Sequence, residues 1–156
     1  MALVIKDGTI ILDRWRQVFT KEELEAEASS ERQYLILSLP LWLEHVRTVA
    51  RQGHAVGVWL GPDDELDELI PALDALSLIA IHFPSFTDGR GYSQAKLLRQ
   101  RYGFGGELRA TGDILRDQIY LLHRCGFSSF ALREDQDPKE ALTALRDYSW
   151  SPVVEH

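Results

Sequence analysis

A chain of 156 residues with 45% hydrophobic and 26% charged side chains has the size and composition of one globular domain, so disordered and fibrous classes are excluded. The formal net charge of −7 argues against non-specific binding to nucleic acid or to anionic lipid. The single cysteine, Cys125, excludes an internal disulfide and a cysteine-held cluster within one chain.

In chain order, Leu3–Ile5 and Thr9–Leu12 flank Lys6-Asp7-Gly8, and Asp-Gly between two β-prone runs predicts a hairpin. The hairpin reads as an N-terminal flap beside the main sheet. No basic segment followed by a long apolar run opens the chain, and no apolar run approaches the roughly 20 residues of a membrane span. A cytoplasmic location without membrane contact is therefore expected. Thr20-Lys21-Glu22-Glu23 fits a capping box, opening a short acidic helix or linker to about Arg32.

From Tyr34 the pattern becomes regular. Tyr34–Leu39, Ala55–Leu60, Leu78–Phe83, Leu108–Thr111 and Ser129–Leu132 read as strands, alternating with helices over Trp42–Gln52, Asp64–Leu76, Tyr92–Tyr102, Ile114–Cys125 and Pro138–Tyr148. Pro40, Asp63, Asp113 and Asp137-Pro138 mark helix starts; Gly53, Gly103 and Gly126 mark ends. Five successive βα units imply a parallel sheet, either an open flavodoxin-like sheet or a half-barrel. The expected organisation is one α/β domain over 1–156. Residues 1–32 are hairpin and acidic linker, 33–150 the βα core, and 151–156 a tail that, with Trp150, is apolar enough to dock.

Ligands of parallel α/β sheets bind beyond the carboxyl ends of the strands. The long loop Pro84–Gly91 lies there, with Asp88, Gly89, Arg90 and Gly91. Its glycines permit positive φ or close approach to a ligand, and Arg90 offers a planar fork to an oxyanion. Arg109 and Gly112 repeat the arrangement one strand away. Seven of the chain's seventeen basic residues, against three of its twenty-four acidic ones, fall between Arg90 and Arg124, which suits a small anion. The alternative is structural: Asp88 pairs with Arg90, and Arg109 with Asp113 or Glu107. Asp88 and Asp113 are the carboxylates placed for acid–base work, though Asp113 also reads as a helix cap. His82 fits packing on its strand better than catalysis. No metal-ligand spacing and no cofactor fingerprint is present; Gly103-Phe104-Gly105-Gly106 follows a helix and lacks the dinucleotide spacing.

The segments Phe83–Ser93, Leu98–Gly103, Gly106–Asp113, Asp117-Gln118 and Arg124–Phe127 together resemble a bacterial family of small uncharacterised proteins described as oxidoreductases involved in sulfite reduction. The resemblance covers most of the chain, and its signature positions fall on Asp88, Gly89, Arg90, Gly91, Arg109, Gly112, Asp113, Asp117 and Gln118. It implies a role beside the haemoprotein subunit of assimilatory sulfite reductase, in making sulfide for cysteine synthesis. Two functions are thus expected: an accessory protein of that system, or a small enzyme acting on an oxyanion or carboxylate at the Asp88/Arg90/Arg109 face, with Gly89, Gly91, Gly112 and Gln118 lining it. A half-barrel completed as a homodimer, sharing the site, is a further arrangement.

Overall fold

The computed structural model describes residues 3–27, 31–133 and 135–146. The Trp150 tail and Glu134 therefore lie outside the described residues. The elements are β1 (Leu3–Lys6), β2 (Thr9–Leu12), β3 (Arg16–Val18), α1 (Lys21–Glu27), β4 (Tyr34–Ser38), α2 (Leu39–Arg51), β5 (Ala55–Leu60), β6 (Leu78–Phe83), α3 (Arg90–Lys96), β7 (Glu107–Gly112), α4 (Ile119–Arg124), β8 (Ser129–Phe130) and α5 (Pro138–Arg146).

All eight strands join one mixed sheet in the order β2-β1-β8-β7-β6-β5-β4-β3. Strands β3 to β8 are mutually parallel, in chain order. The five expected parallel strands are all present, but the sheet is not a set of five βα units. It gains β3, and the hairpin is not a flap, because β1 pairs antiparallel with β8. The turn itself forms as expected, Asp7 and Gly8 taking φ of 51° and 79°, the left-handed pair of a tight hairpin.

Sequential parallel order with right-handed crossovers puts the connections from β3 to β8 on one face of the sheet. The main core lies there, with Leu35, Leu37, Val58, Leu60, Ile79, Ile81, Leu108 and Ala110 buried under the helices. The other face is concave, for a covalent reason. β2 and β3 are opposite edges, seven strand spacings apart, or about 34 Å along a sheet with ~4.8 Å spacing. Only Asp13-Arg14-Trp15 joins them, and the four steps from Leu12 to Arg16 reach at most about 14 Å. The sheet must curl into a half-barrel, with that short strap crossing its mouth.

The concave face is layered by register. One row is Ile36, Gly57, Leu78 and Glu107; the next is Ser38, Trp59, Ala80, Arg109 and Ser129; His82 and Thr111 lie above it. Trp15 from the strap and Trp59 pack on Ile36, Leu78 and Ala80, so half of the interior is apolar and the other half charged.

The second expected helix, over Asp64–Leu76, is instead an irregular segment ending in a 3-10 turn at Ile70–Ala75. Pro71 lies inside it, and an interior proline removes an amide donor and clashes with the preceding turn. Asp63 consequently caps no helix; Asp64 receives the Gly61 amide at 2.7 Å. The third helix changes pitch after Lys96 into a π turn over Leu97–Arg101. The fourth starts as a 3-10 turn at Arg116–Gln118 before α4. At α5, Asp137 accepts the Lys139 amide at 2.9 Å and is the expected cap. Thr20 accepts the Glu23 amide at 3.1 Å, but Glu23 reaches back to the amide of Phe19 (3.2 Å). Among the described residues no helix is long and apolar enough to cross a membrane.

Candidate functional site at the carboxyl rim

The loop after β6 and the strand tips beside it are stitched by two arginines. Asp88 accepts the Arg90 amide (3.0 Å) and receives the Arg90 guanidinium through Nε (3.1 Å) and Nη2 (2.6 Å). The remaining Arg90 nitrogen, Nη1, reaches Asp63 at 2.5 Å. Arg133, after β8, repeats the scheme, donating to Asp113 (2.6 Å) and to Asp135. Each arginine is therefore shared by two carboxylates. With Asp63, Asp88, Asp113 and Asp135 around Arg90 and Arg133, this cluster carries more negative than positive charge.

These contacts set the acidities. Hydrogen bonding to the Arg90 guanidinium and amide holds the Asp88 carboxyl down to about 2. Asp113 is lowered by its bond from Arg133 and by the Phe86 amide. Both carboxyls are thus shifted away from the near-neutral pKa that suits acid–base work. Asp113 does not cap the following helix. Its oxygens are taken by Arg133 and the Phe86 amide, and Gln118 accepts the Leu115 amide instead (3.0 Å).

The loop these residues build holds one side chain out. The Phe86 amide donates to Asp113 (2.9 Å), and the Phe86 carbonyl accepts from Gln118 Nε2 (2.8 Å), while the residue remains 46% exposed. Ser85 and Thr87 on either side bond to each other through their hydroxyls at 2.9 Å. The backbone of Phe86 is fixed and its ring is not covered.

Two of the three expected glycines serve close approach of the backbone. Gly89 lies at φ −89° and needs no special freedom. Gly91 is buried, and a Cβ there would stand 2.5 Å from Phe83 Cζ and 3.0 Å from Ile81 Cγ2, so it lets α3 lie directly on β6. Gly112 has φ +99°, and a Cβ would meet the Phe83 carbonyl at 2.4 Å. At that turn, the next amide, of Asp113, bonds to the same carbonyl at 2.8 Å.

Arg109 is not part of this rim. Leu108 and Ala110 point to the helix side, so alternation sends Arg109 to the concave face, where it is 3% exposed. Its guanidinium reaches Asp13 (2.9 Å), Glu107 (3.0 Å) and Ser129 (3.3 Å), sharing no partner with Arg90. The expected Glu107 pairing is present and the Asp113 pairing is not. Lys6 adds a bond to Glu107 at 3.2 Å. Burial pushes the Glu107 carboxyl up, but Arg109, Ser129 and Lys6 together bring it below its ordinary value. Asp117 is 87% exposed at its side chain, with only a 4.0 Å approach to Arg116.

Near the upper row, Trp59 stacks on His82 at 5.0 Å with Phe19 edge-on to Trp59 at 5.3 Å. Burial lowers the pKa of His82, so the imidazole stays neutral near neutral pH. Among the described residues no group of three or more His, Cys, Asp or Glu side chains is placed to hold a metal ion. Cys125 is partly buried, which raises its thiol pKa.

Sequence reasoning singled out Asp88, Arg90 and Asp113, with Gln118 from the resemblance, but gave no role to the residues completing the network, although Asp63, Phe86 and Arg133 also follow strand ends. Arg133 and Asp135 carry an Arg-x-Asp spacing that was available as a signal. Phe86, an aromatic between two hydroxyl residues in a long loop, was another. The Asp13–Arg109 pair, 96 residues apart, has no local signal. Residues 57–151 match the family of bacterial proteins of unknown function designated DUF934. No curated protein matches the chain.

Proposed function

We propose that this chain, which belongs to the DUF934 family of bacterial proteins, is an accessory docking protein of assimilatory sulfite reduction and not the enzyme of a chemical step. The family resemblance of its loop and strand-tip segments supplies the pathway. The observation that carries the docking role is the clamped, exposed Phe86 on the loop that also carries Asp88 and is bonded to Asp113. Exposed aromatics on rigid backbone are the usual energetic centres of protein interfaces, because their side chains lose little freedom on binding. A net negative charge around it then selects a partner of the opposite sign and speeds the encounter. The partner is a basic surface, which we assign to the haemoprotein subunit of sulfite reductase.

The rim supports an oxyanion enzyme less well. Both of its arginines are already neutralised, the Asp88 and Asp113 carboxyls are lowered from their ordinary value, and Arg109 lies elsewhere. The test is calorimetric titration of the purified haemoprotein with this chain. A 1:1 complex that weakens at high salt, and that Phe86→Ala reduces by roughly tenfold or more, is the expected result. Absence of a complex at low salt removes the proposal. So does a complex indifferent to Phe86→Ala, a variant whose own stability should stay within about 0.5 kcal/mol of wild type.

A further inference from the structure

The positive counterpart to the acidic rim lies inside the half-barrel, towards the amino ends of its strands. A cavity of about 380 Å³ opens there between the hairpin, the strap and the Gly105-Gly106 segment, bordered by Lys6, Arg14, Arg99 and Ser77. A second hollow of about 210 Å³ shares Lys6, Arg14, Trp15 and Glu107 with it and continues to Asp13 and Arg109. The two form one groove beneath the strap. Its lining carries four cations, Lys6, Arg14, Arg99 and Arg109, against three carboxylates, Asp7, Asp13 and Glu107. That is a local positive balance in a chain of net charge −7.

The carboxylates deeper in the groove are already used: Glu107 holds Lys6 and Arg109, and Asp13 holds Arg109. Arg14 is different. Its guanidinium lies 4.0 Å over the Tyr34 ring, and no carboxylate among the described residues is within ion-pair reach. Stacking occupies the face of a guanidinium and leaves its in-plane N–H donors free to bind.

The glycine segment supplies further donors. Arg99, presented by the π turn, takes the carbonyls of Phe104 (2.7 Å) and Gly106 (2.8 Å), and through Nε that of Gly126 (2.8 Å). In a trans peptide the N–H points opposite to the preceding carbonyl. With the Phe104 carbonyl turned to Arg99, the Gly105 amide faces away from it. The amides of Gly105 and Gly106 donate to no partner among the described residues. Backbone amides held in this way, beside a guanidinium, an ammonium and a serine hydroxyl, are the donor set of an anion site.

We infer that this groove binds a small inorganic oxyanion, held by Arg14 and Lys6 against the Gly105-Gly106 amides. Asp7 at the cavity edge opposes a larger polyanion, which limits the ligand to a single compact group. The site is independent of the rim, so it can fail or hold whatever the outcome for docking.

The experiment is calorimetric titration of the full chain with sulfate, sulfite and inorganic phosphate at low ionic strength. One-to-one binding of at least one of them is expected. Arg14→Ala should weaken it about tenfold, since it removes a charge-assisted donor, Arg14→Lys should keep part of the affinity, and Arg90→Ala should leave it unchanged. Circular dichroism of each variant checks that the exposed substitution leaves the fold intact. The inference is overturned if none of the three anions binds the wild type, if Arg14→Ala binds as wild type does, or if the loss follows Arg90→Ala instead.

Discussion

Arg109→Met replaces the buried guanidinium with an apolar side chain of similar length and isolates the pair of carboxylates that it holds. The Glu107 side chain is 8% exposed and the Asp13 side chain 17%. Removing one member of a buried ion pair costs roughly 3–5 kcal/mol, because the partner is left charged and desolvated. Two observations place this case at the lower end. Glu107 keeps Lys6 at 3.2 Å, and Asp13 still accepts the Trp15 amide at 3.0 Å. A loss of about 3 kcal/mol follows, or a Tm lowered by about 6–12 °C for a chain of this size. Urea unfolding measures it, with an unchanged m-value showing that the effect is on stability alone. Adding Glu107→Gln and Asp13→Asn to Arg109→Met should recover most of the loss, since no uncompensated buried carboxylate then remains and Lys6, 37% exposed, can turn to solvent. Because the pair is buried, 1 M salt should change the cost little, whereas an exposed pair would be screened. A loss below about 1 kcal/mol, or a triple variant no more stable than the single one, would refute the idea that Arg109 compensates buried charge on the concave face.

Three further outcomes follow from the structure. Gly91→Ala should destabilise by about 1–3 kcal/mol in denaturant melts, because the new methyl meets Phe83 and Ile81 where α3 lies on β6; a neutral result would mean that the helix can shift freely. Glu107, with its folded pKa lowered, contributes stability that is present above the unfolded value of about 4.3 and is lost as pH falls through the folded one. Stability measured against pH should therefore drop in that acid window, and Glu107→Gln should flatten the drop. His82, lowered by burial, makes the fold lose stability as pH falls from about 6.5 towards its lower folded value. His82→Asn should remove that part of the slope, and an identical slope in the variant would rule out the buried imidazole as its source.

Much of the sheet was legible because its strands are apolar runs of four to six residues between turn formers, a pattern that parallel strands buried on both faces require. The hairpin was legible from Asp7-Gly8. Strand β3 was not, since Arg16-Gln17-Val18 is short and mostly polar, and its pairing with β4 depends on a strap that brings it there. The helix expected at Asp64–Leu76 failed at Pro71, whose missing amide donor is visible in the sequence itself. At the candidate site, the sequence reading put Arg90 and Arg109 on neighbouring strand tips with Asp88 and Asp113 alongside; the structure joins Asp88 to Arg90 and Asp113 to the Phe86 amide, and turns Arg109 away. Their partners are another matter: Arg133 to Asp113 spans 20 residues and Arg109 to Asp13 spans 96. Arg109 falls into the wrong group when its nearness to a loop is set above its alternation with Leu108 and Ala110, which sends it inward. Whether a basic residue faces a ligand or a carboxylate is settled by the far side of the fold, and periodicity does not reach that far.

The strap also dictates an order of events during synthesis. Strand β1 leaves the ribosome before every other strand of the sheet, yet on its other side it pairs with β8, where Ile5 lies opposite Phe130. The hairpin must wait, its Ile5 and Ile10 uncovered, until β8 has emerged. The parallel strands can meanwhile add one beside the next as each crossover is completed. Contacts this distant in sequence slow the final step and leave an apolar ribbon exposed until it occurs. Chains truncated before β8 should therefore expose that ribbon permanently and aggregate through it.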